Sequence, residues 1–333
     1  MTMQRAWRLR SRPDGEIADT DLELVEQALP ELQDGEILVD VSYISMDPTN
    51  RIWMSDEEQY MPPVAIGDIM RAGVAGTVTA SRNPNFEVGA LVAGLGGYAS
   101  HIVSDGSDFG PLADVPGLPL PKLFGSLGGT ALTAYFGLLR VGEPKPGETV
   151  VVSAAAGAVG SIVGQIAKIK GCRAVGIAGG PEKCSYVVDE LGFDACVDYK
   201  NGSVRDQLDA YCPDGIDVNF ENVGGDIMQA VMERMNNFSR MALCGMISEY
   251  DTLDKITGPK AWPRILMSRI KVQGFIVSDY MDEFGTAMEE LVPWALEGKI
   301  KTREDVREGL ENALDVVRDL YKGGNQGKLL LKV

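Results

Sequence analysis

The sequence predicts an α/β protein in two parts, a β-rich N-terminal region followed by a doubly wound parallel sheet. Three observations carry that reading. The first 120 or so residues read as β-rich and irregular, with short runs of period two. A stretch with four prolines, GPLADVPGLPLP (110–121), then interrupts any regular element. Beyond it, continuous apolar strands alternate with amphipathic helices, the pattern of strands buried on both faces.

In the first part, EILVDVSYISM (36–46) alternates through Ile37, Val39, Val41 and Tyr43. VAGTVTA (74–80) and YASHIV (98–103) are shorter extended runs bounded by Gly or Pro. In the second part, TVVVSA (149–154) reads as a strand. SIVGQIAKIKG (161–171) then places Ile162, Val163, Ile166 and Ile169 on one helical face. RAVGIA (173–178) is a strand, and PEKCSYVVDELG (181–192) a helix with Pro181 in its first turn and Gly192 at its end. ACVD (195–198), IDVNFE (216–221), RMALCG (240–245) and KVQGFIV (271–277) continue the strands. A long amphipathic helix is expected over 303–322, and GKLLLKV (327–333) is expected to be a strand returning to the first part.

Composition narrows the function. The 333 residues are 45% hydrophobic and 24% charged, enough for two domains with real cores. Lys plus Arg number 31 against 48 Asp plus Glu, a formal net charge of −17. Such a surface repels phosphate backbones, so no nucleic acid partner is expected. No stretch approaches the roughly 20 apolar residues of a membrane span. The opening MTMQRAWRLRSRPDGE has no apolar core of a secretory signal, so a cytoplasmic protein is expected. Metal chemistry is poorly supplied. His101 is the one histidine, and Cys172, Cys184, Cys196, Cys212 and Cys244 include no CxxC pair. His101 lies in an alternating run and reads as an ordinary strand residue; the cysteines read as reduced, buried thiols.

The strongest local signal is VVVSAAAGAVGS (150–161). It puts Ala155, Gly157 and Gly160 in a G-x-G-x-x-G frame between an apolar strand and an amphipathic helix. A tight turn there lets backbone N–H groups and a helix N-terminus meet a pyrophosphate. The alternative is a Gly/Ala turn that only packs helix on sheet. About 20 residues on, where an NAD site carries an Asp or Glu, this chain has Gly179, Gly180 and then Lys183. Room and a cation favour a 2′-phosphate, and so NADP over NAD. Lys183 could instead be a solvated helix residue, and Glu182 could point inward and favour NAD.

Taken together, these residues resemble the zinc-independent medium-chain dehydrogenase/reductases, in the prostaglandin reductase, alkenal double-bond reductase and curcumin reductase group. The resemblance covers nearly the whole chain. It rests on SMDPTNR (45–51), GTALTAYFGL (129–138), AAAGAVGS (154–161), AGGPEKC with LGFD (178–194) and FENVGG (220–225). RMALCGMISEY (240–250), QGFIVSDY (273–280) and GGNQGK (323–328) complete it, in the family's order. It implies a GroES-like β-rich catalytic domain, 1–124 completed by 299–333, around an NADP-binding Rossmann domain, 125–298. It implies NADP(H) as cofactor, held by Gly157, Ala158, Val159 and Gly160 at the pyrophosphate and by Lys183 with Tyr199 at the 2′-phosphate. Asn222, the segment Cys244, Gly245, Met246, Ile247 and Ser248, then Phe275, Ile276 and Val277, and Asn325 would line the rest. No metal is expected, since Ser45 stands near the place of the zinc cousins' cysteine.

The activity implied is reduction of the carbon–carbon double bond of α,β-unsaturated aldehydes or ketones, with Tyr250 as candidate donor to the developing enolate. Tyr250 could instead be a pocket wall or part of a cofactor loop. Thr49 stands where relatives often carry tyrosine, so Trp53, Met54 and Tyr60 are candidate substrate-wall residues, or ordinary packing. An NADPH:quinone oxidoreductase and a non-catalytic NADPH-binding protein are the alternative functions. A homodimer pairing sheet edges is the expected assembly, with QGFIV (273–277) as edge strand.

Overall fold

A computed structural model describes residues 3–57, 59–252, 256 and 258–333. The chain divides into two compact units: 1–125 with 304–325 and 329–333, and 126–303 with 326–328.

In the first unit, strand Ile37–Ser45 pairs antiparallel with Arg71–Ser81, which pairs with Leu91–Gly97 and onward to Phe109–Pro111. The other edge is built by the C-terminal strand Lys328–Lys332, antiparallel to Ile37–Ser45 with Leu330 opposite Ser45, and then by Glu304–Glu308. The hairpin Met3–Leu9 with Leu22–Ala28 stands as a separate two-stranded sheet. Ile37, Val39, Val41 and Ile44 are buried, as the period-two reading requires.

Two expected elements here differ. The run 98–103 is a ladder strand only over His101–Ser104. Before that, Tyr98 O accepts from Trp7 N–H at 2.8 Å and Ser100 N–H donates to Arg5 O at 2.9 Å, so the first strand captures the segment. The helix expected over 303–322 is instead a strand, Glu304–Glu308, a break at Gly309 and a helix Ala313–Tyr321. Gly309 sits at φ +89°, outside helical space. The apolar positions that made the pattern, Leu310, Ala313, Leu314, Val316 and Val317, all follow that break. The charged run before it has no face to bury and adds to an exposed sheet edge, the usual place for such residues.

The second unit is a six-stranded sheet in which every strand pair is parallel. Its order is Ala195–Asp198, Arg173–Ala178, Thr149–Ser153, Ile216–Glu221, Met235–Leu243, Lys271–Gly274. Thr149–Ser153 is buried at all five positions, which is why it reads as a continuous apolar run. Helix Ala158–Ile169 buries Ile162, Val163 and Ile166. The helix beginning at Pro181 runs to Glu190 with a wider final turn, and Gly192 closes it at φ +75°. The last strand stops at Gly274. Phe275 and Ile276 lie beyond it, and Val277 opens a tight helical turn to Glu283. In a doubly wound sheet, ligands bind at the carboxyl ends of the strands, and Phe275 and Ile276 therefore leave the ladder on the side where a site is expected.

Candidate functional site

The strand Thr149–Ser153 ends in a turn that only small residues can make. Ala154 has φ +51°, and Gly157 N–H closes the turn on Ala154 O at 2.9 Å. Gly157 then caps helix Ala158–Ile169 from an extended backbone. A Cβ on Gly160 would lie 2.4 Å from Ala154 O, so this position admits no side chain. That steric demand is what the third glycine of the pattern expresses. The C-terminal segment adds a brace: Gly327 pairs with Gly157 in a parallel bridge and donates to Ala156 O at 3.3 Å. Ala158 and Val159 form the helix's first turn and stay partly exposed, as an approach by a pyrophosphate requires.

The next strand ends at Ala178, and Gly179 carries no side chain because Tyr199 is there. A Cβ on Gly179 would meet the Tyr199 hydroxyl at 2.7 Å. Gly180, at φ +93°, donates to Asp198 Oδ1 at 2.7 Å and opens the helix that carries Lys183. Lys183 is half-buried, and Glu182 is exposed, accepting from Gln326 Nε2 at 2.8 Å. Glu182 thus points to the C-terminal segment. The structure brings Gly179, Gly180, Lys183 and Tyr199 to one strand-end corner.

The strand Ile216–Glu221 supplies a residue that the sequence motifs do not single out. Glu221 is fully buried, and its Oε1 accepts from Ser153 Oγ at 2.9 Å, Val223 N–H at 2.8 Å and Gly224 N–H at 2.9 Å. Oε2 accepts from Asn219 Nδ2 at 3.0 Å. Desolvation raises this carboxyl above its ordinary value, with the four donors opposing. Its carbonyl oxygen holds the next loop through Cys244 N–H at 2.9 Å and Gly245 N–H at 3.1 Å. Asn222 is fixed beside it, Nδ2 on Ser153 O at 2.8 Å. FENVGG contains the acid, but only its burial at the strand end, set by the finished sheet, makes partners obligatory.

The loop beyond strand Met235–Leu243 is stitched to the same turn. Ile247 N–H donates to Asn222 O and Ser248 N–H to Val223 O. Tyr250 ends this loop, buried, with its hydroxyl accepting from Met246 N–H at 3.1 Å and lying against Gly245. A phenol that accepts an N–H is polarised towards donating its own proton. Phe275 packs edge-on to Phe220, and a Cβ on Gly137 would lie 2.2 Å from its ring.

In the first unit, Tyr60 is exposed and its hydroxyl links Thr49 Oγ1 at 2.7 Å to Trp53 Nε1 at 3.0 Å. Met54 is a correction to the substrate-wall reading: it has no exposed surface and belongs to that unit's core. Its neighbour Trp53 is also largely buried, with Arg71 over its ring. Asn325 falls in this unit. His101 is a strand residue whose Nδ1 meets Ser100 Oγ at 2.9 Å.

A parallel sheet with a glycine turn, a helix N-terminus and a donor loop at its strand ends defines a dinucleotide-type oxidoreductase scaffold. Comparison with known proteins makes that specific. Residues 5–112 match the family described as the N-terminal domain of oxidoreductase, and 158–293 the one described as zinc-binding dehydrogenase. The NADPH-dependent curcumin reductase of Escherichia coli is 42% identical, over 99% of this chain and 96% of that protein. Prostaglandin reductase 1 of Oryctolagus cuniculus is 40% identical over 98% of this chain and 93% of its own. CurA from Vibrio vulnificus, solved in complex with NADPH, superposes with a TM-score of 0.93 at 41% identity, covering 99% of both chains. The chain belongs to the medium-chain dehydrogenase/reductase family, in the group of the curcumin and prostaglandin reductases.

Proposed function

We propose that this protein is an NADPH-dependent reductase of the carbon–carbon double bond in α,β-unsaturated aldehydes and ketones. The observation that carries the proposal is that the Ala154–Gly160 turn, the Gly179–Tyr199 corner, Asn222 and the Gly245–Tyr250 loop share the carboxyl ends of one parallel sheet. The relatives' names supply the chemistry: an NADPH-dependent curcumin reductase and prostaglandin reductases.

The residues fit the cofactor. The space that a Gly160 side chain would fill is closed by backbone, so the helix N-terminus can approach a pyrophosphate. Gly157, Ala158, Val159 and Gly160 are proposed to hold that group, Lys183 and Tyr199 the 2′-phosphate. Asn222, the 244–248 loop, Phe275, Ile276, Val277 and Asn325 would hold the remainder, within a domain proposed as 125–298. When bound, NADPH supplies hydride for the β-carbon of the enone. The chain's task is the charge that then builds on the carbonyl oxygen. Tyr250 is proposed to donate there through its hydroxyl, which the Met246 N–H keeps oriented. Trp53 and Tyr60 are proposed to shape the substrate wall from the 1–124 domain.

Metal-free action is part of the proposal. Among the described residues no group of three or more His, Cys, Asp or Glu could hold a metal ion. Likewise, no helix among them is long and apolar enough to cross a membrane, and cytoplasmic residence stays a proposal. A homodimer is proposed because Phe238, Trp262, Leu266 and Met267 are exposed close to the edge strand Lys271–Gly274, where Val272 also reaches the surface. The parent should sediment as a dimer and Leu266→Asp as a monomer; a monomeric parent would remove the dimer, and a dimeric variant would remove this face as its interface.

The deciding experiment follows NADPH oxidation with an enone, an alkenal and a quinone after exhaustive chelation. Enone or alkenal reduction with intact rate is the expected result. Faster quinone turnover would move the chain to the quinone reductases, and no turnover with any acceptor would leave a cofactor-binding protein.

A further inference from the structure

Cys184 and Cys196 meet in the corner assigned to the 2′-phosphate. Their sulfurs are 3.2 Å apart, and the Cys184 thiol also faces Ala178 O at 4.0 Å. Cys184 follows Lys183 in the helix opened by Gly180, and Cys196 sits in the strand Ala195–Asp198 that leads to Tyr199. The two sulfurs therefore join the element that carries the candidate cation to the element that carries the ring packed on Gly179.

We propose that Cys184 and Cys196 form a reversible disulfide, a redox site that loosens the grip on the 2′-phosphate. A disulfide needs sulfurs about 2.05 Å apart, so closure requires only a small approach from the observed separation. The oxidant is a low-molecular-weight disulfide. Cys184 is half-buried and Cys196 buried, so Cys184 is the entry point. Its thiolate attacks one sulfur of the small disulfide, forming a mixed disulfide and releasing one thiolate. The Cys196 thiolate then attacks the Cys184 sulfur and expels the second small thiolate. Two protein thiols are oxidised, one small disulfide is reduced to two thiols, and the two protons that leave the protein thiols end on the released small thiolates by way of solvent. Burial raises both thiols above their ordinary value, so the exchange is slow at neutral pH and quicker in mild alkali.

The consequence is geometric. Drawing the helix towards Ala195–Asp198 moves Lys183 relative to Tyr199, and an NADH molecule, lacking the 2′-phosphate, does not use that pair. This part rests on the NADPH reading above.

The test incubates the protein with bis(2-hydroxyethyl) disulfide at about pH 8.5, then removes the reagent. Peptide mass analysis should find a Cys184–Cys196 cross-link, with the chain lighter by two hydrogens, and dithiothreitol should restore the thiols. The Michaelis constant for NADPH should rise about threefold to tenfold while that for NADH stays nearly constant, a sub-ångström to ångström misplacement of one ligand. Cys184→Ser should abolish both the cross-link and the kinetic change. Mixed disulfides without a cross-link would overturn the pair, and so would a cross-link that leaves NADPH kinetics untouched. Equal use of NADPH and NADH by the reduced, unmodified protein would overturn the cofactor reading and with it this consequence. The peptide mass would still report on the pair by itself.

Discussion

The turn at 154–160 and the loop at 244–250 do comparable work by different means. The turn uses backbone alone: Ala154 at φ +51°, Gly157 as cap, and Gly160 pressed against Ala154 O. The loop hangs from the carbonyl of one buried acid, Glu221, and from the 222–224 turn that its side chain holds, and ends in a phenol held by Met246 N–H. A steric demand leaves its mark as a residue type that nothing else can replace. A hydrogen-bond hub leaves only a common residue in an uncommon place. The contrast predicts that the turn fails all at once, while the loop loses function in separable pieces.

The largest effect is therefore expected at Gly160. Gly160→Val places two methyls where even Cβ lies 2.4 Å from a carbonyl oxygen. Overpacking of this kind costs about 1–3 kcal/mol of stability. Displacement of the turn should also weaken NADPH by roughly 100-fold, about 2.8 kcal/mol. Fluorescence titration beside thermal melting separates the two losses. Native NADPH affinity in this variant would break the comparison at its first term.

Tyr250→Phe tests the other side. The ring's packing stays, and the hydrogen bond proposed for the transition state goes. An oxyanion-hole donor is worth about 100- to 1000-fold in turnover. A ribose hydroxyl remains available as a second donor, so about 10- to 100-fold is expected here, with NADPH affinity unchanged. A fall in affinity equal to the fall in turnover would mean that the hydroxyl serves the loop through Met246 and not the reaction.

Legibility in the sequence follows the same division. Thr149–Ser153, Arg173–Ala178 and Ile216–Glu221 are plain as strands because both faces are buried and the runs are largely apolar. The 154–160 turn is plain because Gly160 admits no side chain. The segment 303–322 misleads because apolar spacing after Gly309 lends its period to the charged residues before it, and a sheet edge distant in sequence decides their state. Tyr98–Ser100 goes to the N-terminal strand for the same reason: the partner is nonlocal. Met54 ends the helix Thr49–Met54 and Tyr60 follows six residues later, with opposite fates, core and surface, that the apolar or aromatic character of the two residues does not distinguish. Glu221 escapes local pattern because burial is a property of the finished sheet.

Lys183→Ala sharpens the comparison at the strand-end corner, where backbone and side chain share the task. Lys183 already has a partner within the protein, so a 2′-phosphate gains the difference between two interactions. The Michaelis constant for NADPH should rise about tenfold, near 1.4 kcal/mol, with NADH hardly affected. Equal losses with both cofactors would show that Lys183 does not act on the 2′-phosphate.

The smallest effect is expected from Glu221→Gln, which keeps the shape of the hub and removes its charge. Desolvation raises the Glu221 carboxyl above its ordinary value in the folded protein, although Asn219, Gly224, Val223 and Ser153 all donate to it. A group held protonated to higher pH in the folded state stabilises that state below its unfolded value. The stabilisation is lost as pH rises through the folded value. Glutamine does not titrate. The melting temperature of the Glu221 protein should therefore fall relative to the variant as the pH rises above about 4.5. Below that pH the difference should be constant, set by the amide's poorer match to the Asn219 donor. Turnover at neutral pH should change less than with Tyr250→Phe, because the Cys244 and Gly245 N–H groups bind the backbone carbonyl, which the substitution leaves in place. A pH-independent difference in melting temperature would place the proton elsewhere. A loss of turnover larger than that of Tyr250→Phe would mean that the carboxylate's bonds to Val223 and Gly224, more than the carbonyl's, set the loop.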